Sequence, residues 1–207
     1  MTELVETELN KLEKQEKVIL ELGKKMLNGE QFPLDLLASA VLDRSLSLIF
    51  GFTSLVRDKN FLAAVHLVRC HLDNLLRFSA AWIVENPHDF ANEVISGTRI
   101  EKLKDKDGKY LKDWYLRNKL SEEYTWVKNI YTETSGFIHL SNKHIFSSSR
   151  LKKGSKNLLE ISISKTDNNV SDNSRLEAIL GMDEITKTIC RYVEGWIWTK
   201  NNPGKVP

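Results

Sequence analysis

Pro33 is followed by a run, Leu34 to Arg57, whose apolar residues fall on nearly every side of a helical wheel. Proline is tolerated in a first helical turn, where its missing N–H has no partner to lose, so the helix starts there. A helix that is apolar all round has to be enclosed by others, so this one segment calls for a bundle with itself at the centre. After the short break Asp58-Lys59-Asn60, a further helix runs from Phe61 to about Glu85. It stops before Pro87, because a residue preceding proline is pushed out of the α region. So short a link predicts an antiparallel hairpin of the two helices.

The remaining segments supply the enclosure. From Thr2 to Asn28 the charges alternate in sign while Val5, Leu12, Ile19 and Met26 recur every seven residues, with Leu9 and Leu22 beside them. This is an amphipathic helix ending at Asn28-Gly29. Glu16 and Gly23 interrupt the alternate apolar seam of a coiled coil, so the helix is expected to pack on its own bundle. Asp89 to Lys119 reads as a short helix through Val94 and Ile95, a turn at Asp105-Lys106-Asp107-Gly108-Lys109, and another short helix around Trp114 and Leu116. Helical spacing resumes from Glu122 to Phe137.

Ile145 to Leu151 and Leu158 to Ser164 are β-prone, the second alternating as Leu159, Ile161, Ile163, which predicts a hairpin. Asp167 to Ser174 reads as a polar loop with freedom to move. A last amphipathic helix, from about Arg175 to Thr199, presents Leu176, Ile179, Met182, Ile185, Ile189 and Val193, with Trp196 and Trp198 closing it. The fold class is therefore mainly α: a single-domain bundle of five to seven helices with a small β-hairpin before the last helix. Its parts are an N-terminal amphipathic helix over 1–30, a helical core over 34–144, the hairpin over 145–165 and the C-terminal helix over 175–200.

Charge narrows the partners. Thirty basic side chains against 28 acidic ones leave a net charge of +2, far from the positive field of a protein that holds nucleic acid by phosphate neutralisation. Any nucleic-acid site must be local. Cys70 and Cys190 each sit in an apolar helical pattern, the usage of reduced compartments rather than of a disulfide framework. The acidic N-terminus has no apolar leader, and no uncharged apolar run approaches the ~20 residues of a membrane span, so a cytoplasmic protein without a membrane partner is expected. With no phosphate-binding glycine loop, dinucleotide fingerprint or zinc-ligand spacing, no cofactor or metal is expected either. The Asp-Lys-Asp-Gly turn is too short for a calcium loop.

Two polar clusters stand out. His66, Arg69, Asp73 and Arg77 lie three or four residues apart and form one stripe on an otherwise apolar helix. The stripe is either a solvated face stitched by i,i+4 ion pairs or the wall of a cleft where two arginines grip a phosphate or carboxylate. His139 lies just past Gly136 among Phe137, Ile138 and Leu140, which argues for at least partial burial. It is either a core histidine satisfied by its backbone or serine neighbours, or an acid–base group. His144 is five residues on, off the same helical face. Arg150, Lys152, Lys153 and Lys156 surround the hairpin tip, either to hold it in solution and protect its edges or to touch phosphates.

The segments Arg69-Cys70-His71-Leu72-Asp73-Asn74-Leu75-Leu76-Arg77 and Tyr131-Thr132-Glu133-Thr134-Ser135-Gly136-Phe137-Ile138-His139 together resemble uncharacterised bacterial helical proteins related to the higher eukaryotes and prokaryotes nucleotide-binding (HEPN) superfamily. The resemblance covers roughly residues 34 to 145. It implies an α-helical bundle, often a homodimer through its helices, acting either as a binding or regulatory module or as a metal-independent ribonuclease of toxin–antitoxin and antiphage systems. RNA or a cognate protein would be the partner. The superfamily's catalytic pattern places an arginine four to six residues before the histidine; here those positions are Ser135, Thr134 and Glu133. A ribonuclease would therefore need His139 as acid–base group with Arg69 or Arg77 supplied from the third helix, and His66, Asp73, His144, Arg150, Lys152 and Lys153 as binding residues.

Overall fold

In a computed structural model, which describes residues 2–152, 154, 157–167 and 169–203, the chain is mainly helical with one small hairpin. The order is α1 (Glu3–Glu13), α2 (Gln15–Met26), α3 (Pro33–Arg57), α4 (Phe61–Ser79), α5 (Pro87–Ile95), α6 (Asp113–Glu123), α7 (Trp126–Ile138), α8 (Asn142–Ser148), β1 (Ser149–Leu151), β2 (Leu159–Ile161) and α9 (Asp172–Asn201).

α3 is the central helix its composition demanded. It begins at Pro33 and buries Leu34, Ala38, Leu42, Ile49, Phe52 and Val56 against its neighbours. α4 runs back antiparallel along it: the Asn74 amide donates to the Val41 carbonyl (3.0 Å) and the Ser45 hydroxyl (3.1 Å), and Leu67 lies against Gly51. Among the described residues α3 alone is long and apolar enough to cross a membrane, yet it carries Asp43 and Arg44 and lays its apolar side on α4, α5 and α9.

All six residues of the predicted N-terminal stripe are buried, but the helix is interrupted at Lys14. There the backbone tightens into i→i−3 hydrogen bonds (Lys14 to Lys11, Lys17 to Lys14), which turns the Ile19 and Leu22 side chains onto the bundle. Other boundaries also differ from expectation. α4 ends at Ser79, because Ala80–Trp82 tightens to a 3-10 turn before Asn86 caps the new helix that Pro87 opens. Ile145–Ser148 is helical, since Ser141 accepts from the Lys143 amide and starts α8 there. The loop before α9 is not free. Asp167 donates its amide to the Lys59 carbonyl (2.8 Å), accepts from the Phe61 amide (3.2 Å) and pairs with Arg175 at 3.1 Å, both side chains well buried.

The Asp105 turn forms as expected. Its carboxylate accepts from the amides of Asp107 (3.0 Å) and Lys109 (2.8 Å) and from the Tyr115 hydroxyl. Gly108 supplies the left-handed residue with φ +77°.

α9 closes the bundle and is fixed at both ends. At its start Arg175 holds Asp167 and Asp172 (2.8 Å). At its end Lys200 reaches the fully buried Asp35 (3.0 Å) and the Met26 carbonyl (2.8 Å), while the Trp196 indole N–H donates to the other Asp35 oxygen (2.7 Å). Removing one partner of a buried pair strands the other charge. Lys200→Met is expected to lower the unfolding free energy by about 3–5 kcal/mol, read from urea denaturation, whereas the exposed Lys11→Met should change it by less than about 1 kcal/mol.

Candidate functional site

Arg69, Asp73 and Arg77 of the α4 stripe face neither bulk water nor an open cleft; α6 and α7 cover them. Arg77 donates to Asp73 (3.3 Å) on its own helix and to Asp113 at the start of α6, and reaches the Leu111 carbonyl (3.4 Å). Arg69 lies 4.2 Å over the Tyr131 ring of α7 and 3.9 Å from Asp113. Arg117 approaches the same ring at 5.0 Å. The stripe thus acts as a clamp in which cation–π contacts and half-buried ion pairs fix α6 and α7 on α4. His66 is set apart: its Nδ1 lies 2.6 Å from the Leu62 carbonyl of its own helix.

His139 is exposed, contrary to the burial its apolar neighbours suggested. α7 ends at Ile138, and His139 is the capping residue in an extended conformation, which turns Ile138 and Leu140 outward with it. α4 and α7 are antiparallel, as the Phe61–Phe137 rings (6.0 Å) at one end and Arg69 on Tyr131 further along show. Eight residues of helix, ~12 Å, separate the level of Tyr131 from His139. Arg77 lies a further two turns beyond Arg69. The structure therefore brings Arg69, Arg77 and Asp73 together and leaves His139 apart from them. His144 restarts the chain instead, its Nδ1 accepting the Ser141 amide (3.2 Å) and its ring lying 6.1 Å from Phe137.

On the hairpin, Arg150 is engaged with Glu160 at 2.8 Å and Lys152 is exposed; Lys153 and Lys156 lie outside the described residues. Among the described residues no group of three or more His, Cys, Asp or Glu side chains is placed to hold a metal ion.

An apolar concavity lies elsewhere. α4, α7 and α9 enclose a cleft of about 490 Å³ floored by Val65, Val68, Ile130, Ala178 and Gly181 and walled at one end by Phe61 and Phe137. Beyond those two rings a second hollow, about 320 Å³, opens toward Lys59, His144 and the loop at Asp167, so the aromatic pair divides one groove into two compartments. The rim of the first is polar: Asn129, Glu133, Lys143, Ser171, Ser174 and Glu177. Lys143 lies along α7, donating to the Glu133 carbonyl (2.9 Å) and carboxylate, with its ammonium 4.9 Å from the Phe137 ring. Gly136 makes room for it, since a Cβ there would meet the Lys143 chain at 3.0 Å. A third hollow, about 600 Å³ beside Trp82 and Tyr192, is lined by Asp105 and Tyr115, which are already bonded to each other. Helical spacing marks Ile130 as apolar-facing but leaves Ala178 and Gly181 outside the stripe it predicts for the last helix. Their meeting depends on a packing of α9 against α4 and α7 that no local pattern encodes.

His71, which the sequence did not mark, is the most perturbed group of the core. It is fully buried, and burial, aided by the positive charge of Arg44, pushes its pKa down to about 3. The Thr186 hydroxyl donates to the Met182 carbonyl (2.8 Å), so it accepts from His71 Nε2 (2.9 Å). Nε2 therefore carries the proton, and Nδ1 has no partner among the described residues. The spacing Ala64, Val68, His71, Leu75, Phe78 would have placed it on the inner face.

No protein-family model, no curated protein and no solved structure matches this chain.

The His71 geometry carries a pH dependence. Its folded-state pKa lies below the ordinary value of 6.5, so the unfolded chain binds the extra proton. The neutral ring's contribution is complete above about 6.5 and is lost as the pH falls toward 3. Between pH 7.5 and 5, this group is expected to lower the unfolding free energy by about 2 kcal/mol, and His71→Gln should remove that slope in urea titrations at the two pH values.

Proposed function

We propose that this chain is a binding module of the HEPN-like kind, which receives an apolar anchor of a protein partner in the cleft between α4, α7 and α9, as one member of a bacterial toxin–antitoxin or antiphage pair. The observation that carries the reading is the cleft itself. It has a mainly aliphatic floor, an aromatic end wall and a polar rim, the make-up of a site that takes apolar groups and orients them by a few hydrogen bonds. Its volume, about 490 Å³, suits two or three large side chains presented by a helix or an extended segment.

Catalysis on RNA would require an imidazole and a guanidinium to converge on one phosphate. His139 stands at the exposed end of α7, while Arg69 and Arg77 are engaged with Tyr131, Asp73 and Asp113. The binding reading is preferred on that ground.

Anilinonaphthalene sulfonate serves as an apolar probe of the cleft. Saturable binding at one site per chain is expected, weakened at least tenfold in Ala178→Phe, which fills the floor from α9. Undiminished binding in that variant would move the receptor surface elsewhere. RNA incubated with wild type or His139→Ala in the presence of a chelator is expected to stay intact in both; cleavage by the wild type alone would restore the nuclease.

A further inference from the structure

The positive charge that the chain lacks as a whole is concentrated in one segment. Residues 99–112 carry six basic side chains against three acidic ones, a net +3, where all 207 residues together carry +2. Lys104 and Tyr110 oppose one another there in a short antiparallel ladder, in which the Asp105 amide donates to the Lys109 carbonyl (2.9 Å) and the Leu111 amide to the Leu103 carbonyl (3.0 Å). Alternation turns Asp105 and the fully buried Leu111 inward, and Lys104 and Tyr110 outward. Lys102, Lys106 and Lys112 are exposed around that pair. Tyr110 is 51% exposed, and so is 57% of Trp114, two residues past Lys112 in the first turn of α6.

We infer that this face is a docking surface for an anionic lipid bilayer, held by attraction between lysines and headgroups and by two aromatic rings at headgroup depth. Charge complementarity comes first. Arg99 pairs with Glu101 (3.5 Å), and Asp105 is occupied by backbone amides and Tyr115. Lys102, Lys104, Lys106 and Lys112 have no carboxylate partner among the described residues. Each lysine held near an anionic membrane raises the partition about fivefold, so a cluster binds where a single residue would not.

The residue types select a bilayer over a polynucleotide. Proteins that hold single strands stack bases on open aromatic faces. Here the Lys104 ammonium lies 5.0 Å over the Tyr110 ring and occupies one face of it. Recognition of individual phosphates favours the bidentate arginine fork, whereas the four unpaired cations are lysines, compact hydrated charges that suit a diffuse surface potential. Tyrosine and tryptophan, apolar with one polar edge, concentrate at the boundary between membrane and water. Adsorption needs neither a leader nor a spanning helix, the two features on which the expectation of no membrane partner rested. This inference does not depend on the cleft.

Vesicle flotation of the full chain tests it. At low salt the protein is expected to float with vesicles of equal parts phosphatidylglycerol and phosphatidylcholine and to stay behind with pure phosphatidylcholine. It should be released at about 1 M salt, which screens the attraction. Lys102→Glu/Lys104→Glu should weaken the partition by about twentyfold or more with an unchanged urea unfolding midpoint. Lys14→Glu/Lys17→Glu, an equal charge change on exposed residues at the α1–α2 junction, should weaken it by less than about threefold. Failure to bind the anionic vesicles, equal binding to neutral ones, undiminished binding of Lys102→Glu/Lys104→Glu, or as large a loss in the junction variant would each overturn the inference. So would a protein that ignores the vesicles and uses Lys102 and Lys104 to bind single-stranded RNA or polyglutamate.

Discussion

The buried carboxylate of Asp35 is the point on which the bundle closes. It sits in the first turn of the central helix, accepts the Phe32 amide (2.8 Å), and binds the Lys200 ammonium and the Trp196 indole from the far end of the chain. Lys200 also takes the last carbonyl of α2, so three helix ends meet on one charge pair. Removing two charges from water is expensive, and a close-packed apolar substitute is often as stable. What the pair supplies is position: α9 can end at only one height along α3. Phe32, His88 and Trp196 stack around it and keep water out.

The opposite end of α9 repeats this solution with different residues. Arg175 holds Asp167 and Asp172, and Asp167 in turn takes the Phe61 amide at the start of α4. With both ends fixed, the middle of α9 must lie where Gly181 faces Ile130 and Val68. A Cβ added there would approach Ile130 at 3.3 Å. The cleft is what remains where α9 and α7 diverge from that close approach toward Phe61 and Phe137. Its shape therefore depends on the ion pairs at the two ends of α9 as well as on the residues that line it.

Much of the helical pattern was legible because it is local. Six predicted apolar positions before residue 27 are buried, α3 begins at its proline, and the Asp105 turn forms at its glycine. Boundaries slipped where a capping residue outweighed propensity: Ser141 drew Ile145 into a helix, and Asn86 started a helix where the previous one was expected to be ending. The site was far less legible. His139 looked buried because its neighbours are apolar, yet α7 ends one residue earlier and leaves Ile138, His139 and Leu140 outside. Asp35 and Trp196 are 161 residues apart, and no periodicity announces that they touch.

The distribution of polar groups separates structure from function in this chain. Its strongest charges face inward or across helix contacts: Asp35 with Lys200, Asp167 with Arg175, Arg77 with Asp73 and Asp113. Each is occupied by a neighbour, and an occupied charge cannot also take a substrate's. Apolar side chains are also left open, in the cleft between α4, α7 and α9 and on the hairpin. Open apolar surface gains free energy by being covered, and on the reading proposed above a partner's side chains supply that cover in the cleft.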